Sequence, residues 1–167
     1  IEHVNTEALH QLQREGVKVH PAPAQLEIIK DKGLQKQFYA EHNIPTAPFE
    51  LYKGESEVKQ AVARGERSLP FVQKSRTAGY DGRGVSIIRT EADLEEKLLP
   101  GPCMVEDLVE MDKEIAVIVA RNESGQTQAF PAVEMAFNPE ANLVEFLFCP
   151  ANINKEVEAK AEALAAE

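Results

Sequence analysis

The sequence predicts an α+β chain with antiparallel sheets, and three observations predict it. Residues 71–75 and 85–88 are short apolar, β-prone runs joined by a basic tip with three glycines, Gly79, Gly82 and Gly84, the pattern of a hairpin with a long flexible tip. Around that hairpin, strand and helix patterns alternate from Phe49 to Leu108, giving four strands and two helices. Beyond it, β-prone stretches separated by turn residues imply an antiparallel meander.

In chain order, Asn5 or Thr6 can cap a helix over 7–14, with Ala8, Leu9 and Leu12 at helical spacing. Gly16 closes it, a short β-like stretch follows at 17–20, and Pro21 and Pro23 mark the first expected boundary between lobes. Residues 24–30 and 34–42 read as two helices interrupted near Gly33, with Leu26 and Ile29 on one apolar face, Leu34 and Phe38 on the other, and Lys32 at the joint. Pro45 and Pro48 make an extended connector, because each proline pushes its predecessor out of helical space. A strand at 49–52 precedes a helix at 55–64 whose Val58, Ala61 and Val62 face inward. After the hairpin come a helix at 91–99 through Leu94 and Leu98, the breaker Pro100-Gly101-Pro102, and a strand at 103–108. The meander takes 113–121, 127–137 and 143–149, with turns at 122–125 and near Pro139. Pro131 has no N–H to donate, so its strand is bulged there or lies at an edge. A helix over 154–167 ends the chain, with Val157, Ala161 and Leu164 in register.

Composition narrows the function classes. The net charge of −10 opposes non-specific binding to nucleic acid, whose affinity rests on phosphate neutralisation. Six of the 18 basic residues nevertheless fall in two short windows, Lys30, Lys32 and Lys36, then Lys74, Arg76 and Arg83; this suits a compact anion better than a polymer. Cys103 and Cys149 both lie in apolar runs without metal-ligand spacing and read as buried free thiols rather than a disulfide or zinc site. No apolar run approaches the roughly 18 residues that span a bilayer, and no signal peptide opens the chain, so the cytoplasm is the expected compartment.

Glycines in the tip let several backbone N–H groups converge on one anion, and Lys74, Arg76 and Arg83 add full charges around it. Fixing ten backbone residues costs on the order of 10–20 kcal/mol, whereas each charge-assisted hydrogen bond returns about 1.5–3 kcal/mol. The tip is therefore expected to move when empty and to order over bound nucleotide; the alternative is an ordinary solvated hairpin tip.

Alternation on the strand at 103–108 places Met104, Glu106 and Leu108 on one face, and Glu114 shares its face with Ala116 and Ile118. Either these glutamates serve a nucleotide, with a main-chain edge for adenine near 106–108 and Glu114 on ribose hydroxyls, or they are solvated strand charges or salt-bridge partners. Lys32 and Lys74 divide the same way, between surface charge and phosphate contact; Lys74, ending an apolar strand, can pack its stem while its ammonium reaches the loop. His3, His10, His20 and His42 read as structural, and nothing suggests a covalent nucleophile.

Five stretches, 1–5, 31–38, 44–49, 79–84 and 114–121, carry a resemblance. Together they resemble the ATP-grasp superfamily and, within it, the N5-carboxyaminoimidazole ribonucleotide synthetases. The resemblance implies an incomplete ATP-grasp fold of two α+β lobes: 1–22 ending the preceding domain, 23–44 a helical linker, 45–107 the small lobe and 108–167 part of the large one. It implies a ligase of purine biosynthesis that joins bicarbonate to 5-aminoimidazole ribonucleotide with ATP and magnesium, as a homodimer. By matched position, Lys32 and Lys74 would hold ATP phosphates and base. Gly79, Tyr80, Asp81, Gly82, Arg83, Gly84 and Val85 would form a lid that excludes water. Glu106, Asp107, Leu108 and Val109 would line the adenine, and Glu114 would take the ribose.

Ala78 and Phe137 depart from the family pattern, standing where many members carry glycine and histidine. The family's metal ligands and bicarbonate-contacting motif would follow Glu167, so the 167 residues alone are expected to bind ATP weakly and to be inactive. Two other readings stand beside this one: another carboxylate–amine ligase of the superfamily, or a non-catalytic ATP-binding or oligomerisation module.

Overall fold

The computed structural model describes residues 4–77, 79, 84–138 and 143–167. The expected turn near Pro139 and most of the expected lid, Ala78, Tyr80, Asp81, Gly82 and Arg83, lie outside them, and with these the expected movement of the tip. The chain forms two compact units, one ending at Leu108 and one beginning at Val109.

In the first unit, the Asn5 side chain accepts from the N–H groups of Glu7 and Ala8 and so starts α1 (Thr6–Arg14). Gly16, at φ +86°, ends it. Residues 17–20 are not the expected strand, since a strand needs a neighbouring edge and no described strand pairs with them. Pro23 opens α2 (Pro23–Lys30), where a missing N–H costs nothing. The break before α3 (Lys32–Glu41) falls at Asp31 rather than near Gly33: the Asp31 carboxylate accepts from Gly33 N (2.8 Å) and Leu34 N (3.2 Å) and caps the new helix. Of the residues expected inward, Leu26 and Phe38 are half-buried while Ile29 and Leu34 are exposed; Ile28, Gly33 and Lys36 share the covered sides.

The sheet of this unit contains β1 (Phe49–Tyr52), β2 (Phe71–Ser75), β3 (Val85–Ile88) and β4 (Cys103–Asp107), in the order β1-β4-β2-β3 with every pair antiparallel. The expected hairpin is β2–β3, with Lys74 opposite Val85. One face carries Phe71, Ile88, Cys103 and Val105 against Val58 of α4 (Glu55–Ala63) and Leu94 of α5 (Glu91–Glu96), all buried. Burying each such side chain contributes about 1.5–3 kcal/mol, so this face holds the unit together.

Gln73 is buried in the same layer, and its amide exchanges two hydrogen bonds with Leu99, donating to the carbonyl (3.0 Å) and accepting from the N–H (2.7 Å). That exchange explains why α5 stops at Glu96 and not at 99: the Leu99 backbone is committed to Gln73. The opposite face presents Phe49 and Leu51, paired with Glu106 and Met104, and then Val72 and Lys74, paired with the same two residues from the other side.

The second unit holds β5 (Glu114–Ala116), β6 (Val119–Arg121), β7 (Thr127–Ala129), β8 (Val133–Asn138) and β9 (Leu143–Phe148), then α6 (Lys155–Ala166). The strands form two antiparallel sheets, β5-β8-β9 and β6-β7. The expected strands at 113–121 and 127–137 are therefore each interrupted. Both breaks occur at one level, where Phe130 N donates to Ile118 O at 2.9 Å and Pro131 supplies no donor. Ile118 falls in the break and is exposed, so it does not extend the face of Glu114. β9 is an edge strand with all six residues exposed, and Cys149 just beyond it is exposed rather than buried as expected, since the apolar run around it is itself exposed. Asn154 caps α6 by accepting from Val157 N (2.9 Å), while Val157 and Leu164 stay exposed and Ala161 is half-buried. No helix among the described residues is long and apolar enough to cross a membrane.

Candidate functional site

The polar side of the first unit's sheet is built around a buried carboxylate. Glu106 is 7% exposed, and each of its oxygens is taken by a different ammonium group: Oε1 by Lys74 Nζ at 2.5 Å, Oε2 by Lys36 Nζ at 2.7 Å. Sheet geometry brings Lys74 there, because Lys74 sits opposite Met104 and is thus a diagonal neighbour of Glu106 on the same face. Lys36 arrives from α3, which packs against β4. Burial raises the Glu106 carboxyl, but the hydrogen bonds and charges of the two lysines outweigh it and hold the group below the usual carboxylate range. The trio carries one net positive charge.

A second knot pins the base of the glycine loop. Arg76 Nε and Nη2 donate to Asp31 Oδ1 (2.9 Å) and Oδ2 (2.6 Å), Lys32 N donates to Arg76 O (2.9 Å), and Lys32 Nζ donates to Gly79 O (3.2 Å). Burial acts against the Asp31 charge, yet the Arg76 hydrogen bond and those from Leu34 and Gly33 leave its carboxyl below its ordinary value. Ser75 N donates to Gly84 O at 2.8 Å and closes the loop from the other side. Gly84 has φ +80°, and a β-carbon there would lie 2.8 Å from Gly79 Cα, so the two ends of the loop pass too closely for a side chain. Arg76 is therefore an anchor of the loop base, not one of the free charges expected around an anion.

The structure thus gathers Lys32, Lys74, Gly79, Gly84, Val85 and Glu106 in one unit, and Tyr80, Asp81, Gly82 and Arg83 lie outside the described residues. Asp107 donates its N–H to Pro48 O (3.0 Å) and turns its carboxylate to Arg67 (2.6 Å), while Leu108 is half-buried beyond the end of β4. Val109, exposed, and Glu114, half-buried on β5 opposite Met135, belong to the second unit. Of the two cysteines, Cys103 is buried, and burial pushes its thiol up, away from nucleophile or ligand chemistry.

Sequence reasoning missed two members of this site. Lys36 was visible only as part of a basic window; its spacing of four from Lys32 puts both on one side of a helix, which was the available signal. Asp31 precedes a helix as an N-cap should, but nothing local in the sequence pairs it with Arg76, 45 residues away. Two of the expected structural histidines have local partners: His10 meets Glu27 at 2.9 Å, and His42 stacks on Phe38. His20 makes contacts of its own, and His3 lies outside the described residues.

No group of three or more histidine, cysteine or acidic side chains among the described residues could hold a metal ion.

The chain is similar to known proteins along almost its whole length. The family profile of the ATP-grasp domain matches residues 37–167. A phosphoribosylaminoimidazole carboxylase of Ogataea methanolica is 35% identical over 170 residues, covering 99% of this chain and 31% of that protein. The crystal structure of N5-carboxyaminoimidazole ribonucleotide synthetase from Thermotoga maritima superposes with a TM-score of 0.81 at 38% identity, over 99% of this chain and 41% of its own. A synthase from Aspergillus clavatus, solved with ADP and 5-aminoimidazole ribonucleotide, gives a TM-score of 0.86 at 26% identity, over 99% and 43%. The chain spans less than half the length of each.

Proposed function

Because the chain belongs to the ATP-grasp family, we propose that it supplies nucleotide-binding parts of a ligase that carboxylates 5-aminoimidazole ribonucleotide with bicarbonate at the expense of ATP, a step of purine biosynthesis. The observation that carries the proposal is the Lys74–Glu106 pair at the mouth of the glycine hairpin, with Lys32 already on the Gly79 carbonyl. It puts positive charge at the root of a hairpin whose glycines suit N–H groups turned toward phosphates.

In this proposal, Lys32 and Lys74 hold ATP phosphates and base, and residues 79–85 cover them. The main chain at Glu106, Asp107, Leu108 and Val109 lines the adenine, and Glu114 accepts from the ribose hydroxyls. ATP phosphorylates bicarbonate, and the exocyclic amine of the ribonucleotide then attacks the activated carbon and releases phosphate. Covering the site keeps water from the labile acyl phosphate. The lobe division at 45–107 and 108–167, a requirement for magnesium with ATP, a homodimeric assembly and a cytoplasmic location complete the proposal.

Calorimetry with Mg-ATP tests it. Wild-type protein is expected to bind and Lys74→Ala to lose about tenfold or more in affinity, the equivalent of one charge-assisted hydrogen bond. Absence of binding by both proteins would remove the nucleotide reading. Phosphate release by the whole protein with competing amine acceptors then distinguishes the carboxylating synthetase from another ligase of the family.

A further inference from the structure

We propose that Lys36 is a positioning residue for the nucleotide site: it stays on the buried carboxylate of Glu106 and so lets Lys74 leave that carboxylate for a nucleotide. The inference rests on the nucleotide reading above and adds a residue to it.

The two lysines hold Glu106 on unequal terms. Lys36 is 13% exposed and held from several sides: it donates to Glu106 and to Thr46 Oγ1, lies 3.5 Å from Ala47 O, and stands 5.9 Å from the centre of the Phe49 ring. Lys74 is 30% exposed, sits at the end of β2 next to the glycine loop, and has Glu106 as its ion-pair partner among the described residues. Among the described residues, moving Lys36 breaks all of these contacts, whereas moving Lys74 breaks its ion pair with Glu106.

The charges make the difference consequential. A buried carboxylate with no partner is so unfavourable that it takes up a proton instead of remaining ionised. If Lys74 were its single partner, every departure of Lys74 toward a phosphate would strand Glu106 and require a proton from solvent. With Lys36 in place, the pair left behind is already neutral, and Lys74 departs with no proton moved. The ionisable groups acting on Glu106 are Lys36 from α3 and Lys74 from β2; β1 contributes Phe49, which does not titrate.

Calorimetry with Mg-ATP, run at pH 7 in two buffers of different ionisation heat, reads affinity and proton exchange together. The wild type is expected to bind with no net proton uptake through Glu106. Lys36→Met is expected to bind about tenfold or more weakly and to take up a proton on binding. Lys36→Arg, which keeps the charge, is expected to stay near wild type, and Lys36→Met with Glu106→Gln is expected to recover affinity, because Lys74 then has no carboxylate to abandon. A merely structural lysine would give neither the proton uptake nor the recovery. Wild-type affinity without proton uptake in Lys36→Met, or a double variant as weak as the single one, overturns the proposal while the nucleotide reading stands. If Lys36→Met does not fold, Lys36→Gln decides: it keeps a polar side chain without the charge and must bind more weakly than wild type with a proton taken up, and wild-type affinity without proton uptake overturns the proposal. A wild type that binds no nucleotide removes the reading and the proposal with it.

Discussion

Arg76 grips the carboxylate of Asp31 with two nitrogens, Nε on Oδ1 at 2.9 Å and Nη2 on Oδ2 at 2.6 Å, across 45 residues of sequence. The same Oδ1 accepts from Gly33 N and Leu34 N, so one side chain starts α3 and anchors the root of the glycine loop. Two substitutions separate these tasks. Asp31→Asn keeps an oxygen for the cap and loses the ion pair; between an exposed pair, worth under about 1 kcal/mol, and a fully buried one, at about 3–5, a cost of about 1–2 kcal/mol is expected. Asp31→Ala loses the cap too, adding about 1 kcal/mol. Urea unfolding should rank wild type above Asn above Ala, and equal midpoints for the two variants would show that the cap contributes nothing.

Gly33 and Gly84 should respond differently to alanine. At Gly33 the new β-carbon would meet Arg76 Nε at 2.8 Å, Asp31 Oδ1 at 3.1 Å and Leu51 Cδ2 at 3.1 Å; these are side-chain atoms rather than backbone, but moving the first two loosens the Arg76–Asp31 pair. Alanine also favours a helix by about 1 kcal/mol over glycine, so the net loss is expected near 0–2 kcal/mol, at the low end of the overpacking range. At Gly84 the collision is with backbone, Gly79 Cα at 2.8 Å, in a left-handed conformation. Strain of about 1–2 kcal/mol adds to a clash that cannot be relieved without opening the loop. Gly84→Ala should therefore be the less stable variant and the weaker nucleotide binder; the reverse order in thermal unfolding would contradict the observed loop base.

Gln73→Leu tests the clamp on the α5–β4 connection. Leucine fits an apolar layer of Phe71, Ile88 and Val105, but it strands the N–H and carbonyl of Leu99. Unsatisfied buried groups cost about 1–3 kcal/mol, more than the leucine recovers by its own burial next to an already full core. A loss of about 2 kcal/mol in urea unfolding is expected, with faster amide exchange at Leu99. Unchanged exchange at that amide would count against the clamp.

The hairpin was legible because local signals agreed: short apolar runs at 71–75 and 85–88 with glycines in the tip between them. What failed was set by distant partners. Residues 17–20 have strand propensity but pair with no strand among the described residues, and Gln73, a polar residue in an apolar strand, shortens α5 through a bond 26 residues away. The breaks at 117–118 and 130–132 were half legible, through Pro131, which has no N–H to continue the ladder beside the Phe130 N to Ile118 O bond. Glu106 was placed on the correct strand face, but its two-lysine environment needed α3 laid over the sheet, and only the fold supplies that.

Acid should unfold the first unit through its carboxylates. Asp31 and Glu106 are both held below their ordinary values of 3.8 and 4.5. A group with a depressed folded value binds fewer protons folded than unfolded, so its contribution is fully present above the unfolded value and is lost as pH falls through the folded one. Stability in urea should therefore fall progressively once the pH drops below 4.5 for Glu106 and below 3.8 for Asp31. Asp93, drawn down to about 2 by Lys97 and the N–H groups of Arg89 and Thr90, should remain ionised well into that range when followed by NMR. Arg76→Ala removes the main counterweight to burial at Asp31, so its acid limb should be shallower than that of the wild type. A limb of unchanged slope in that variant, or stability that rises between pH 5 and pH 3, would show that the depressed carboxylates are not what acid attacks.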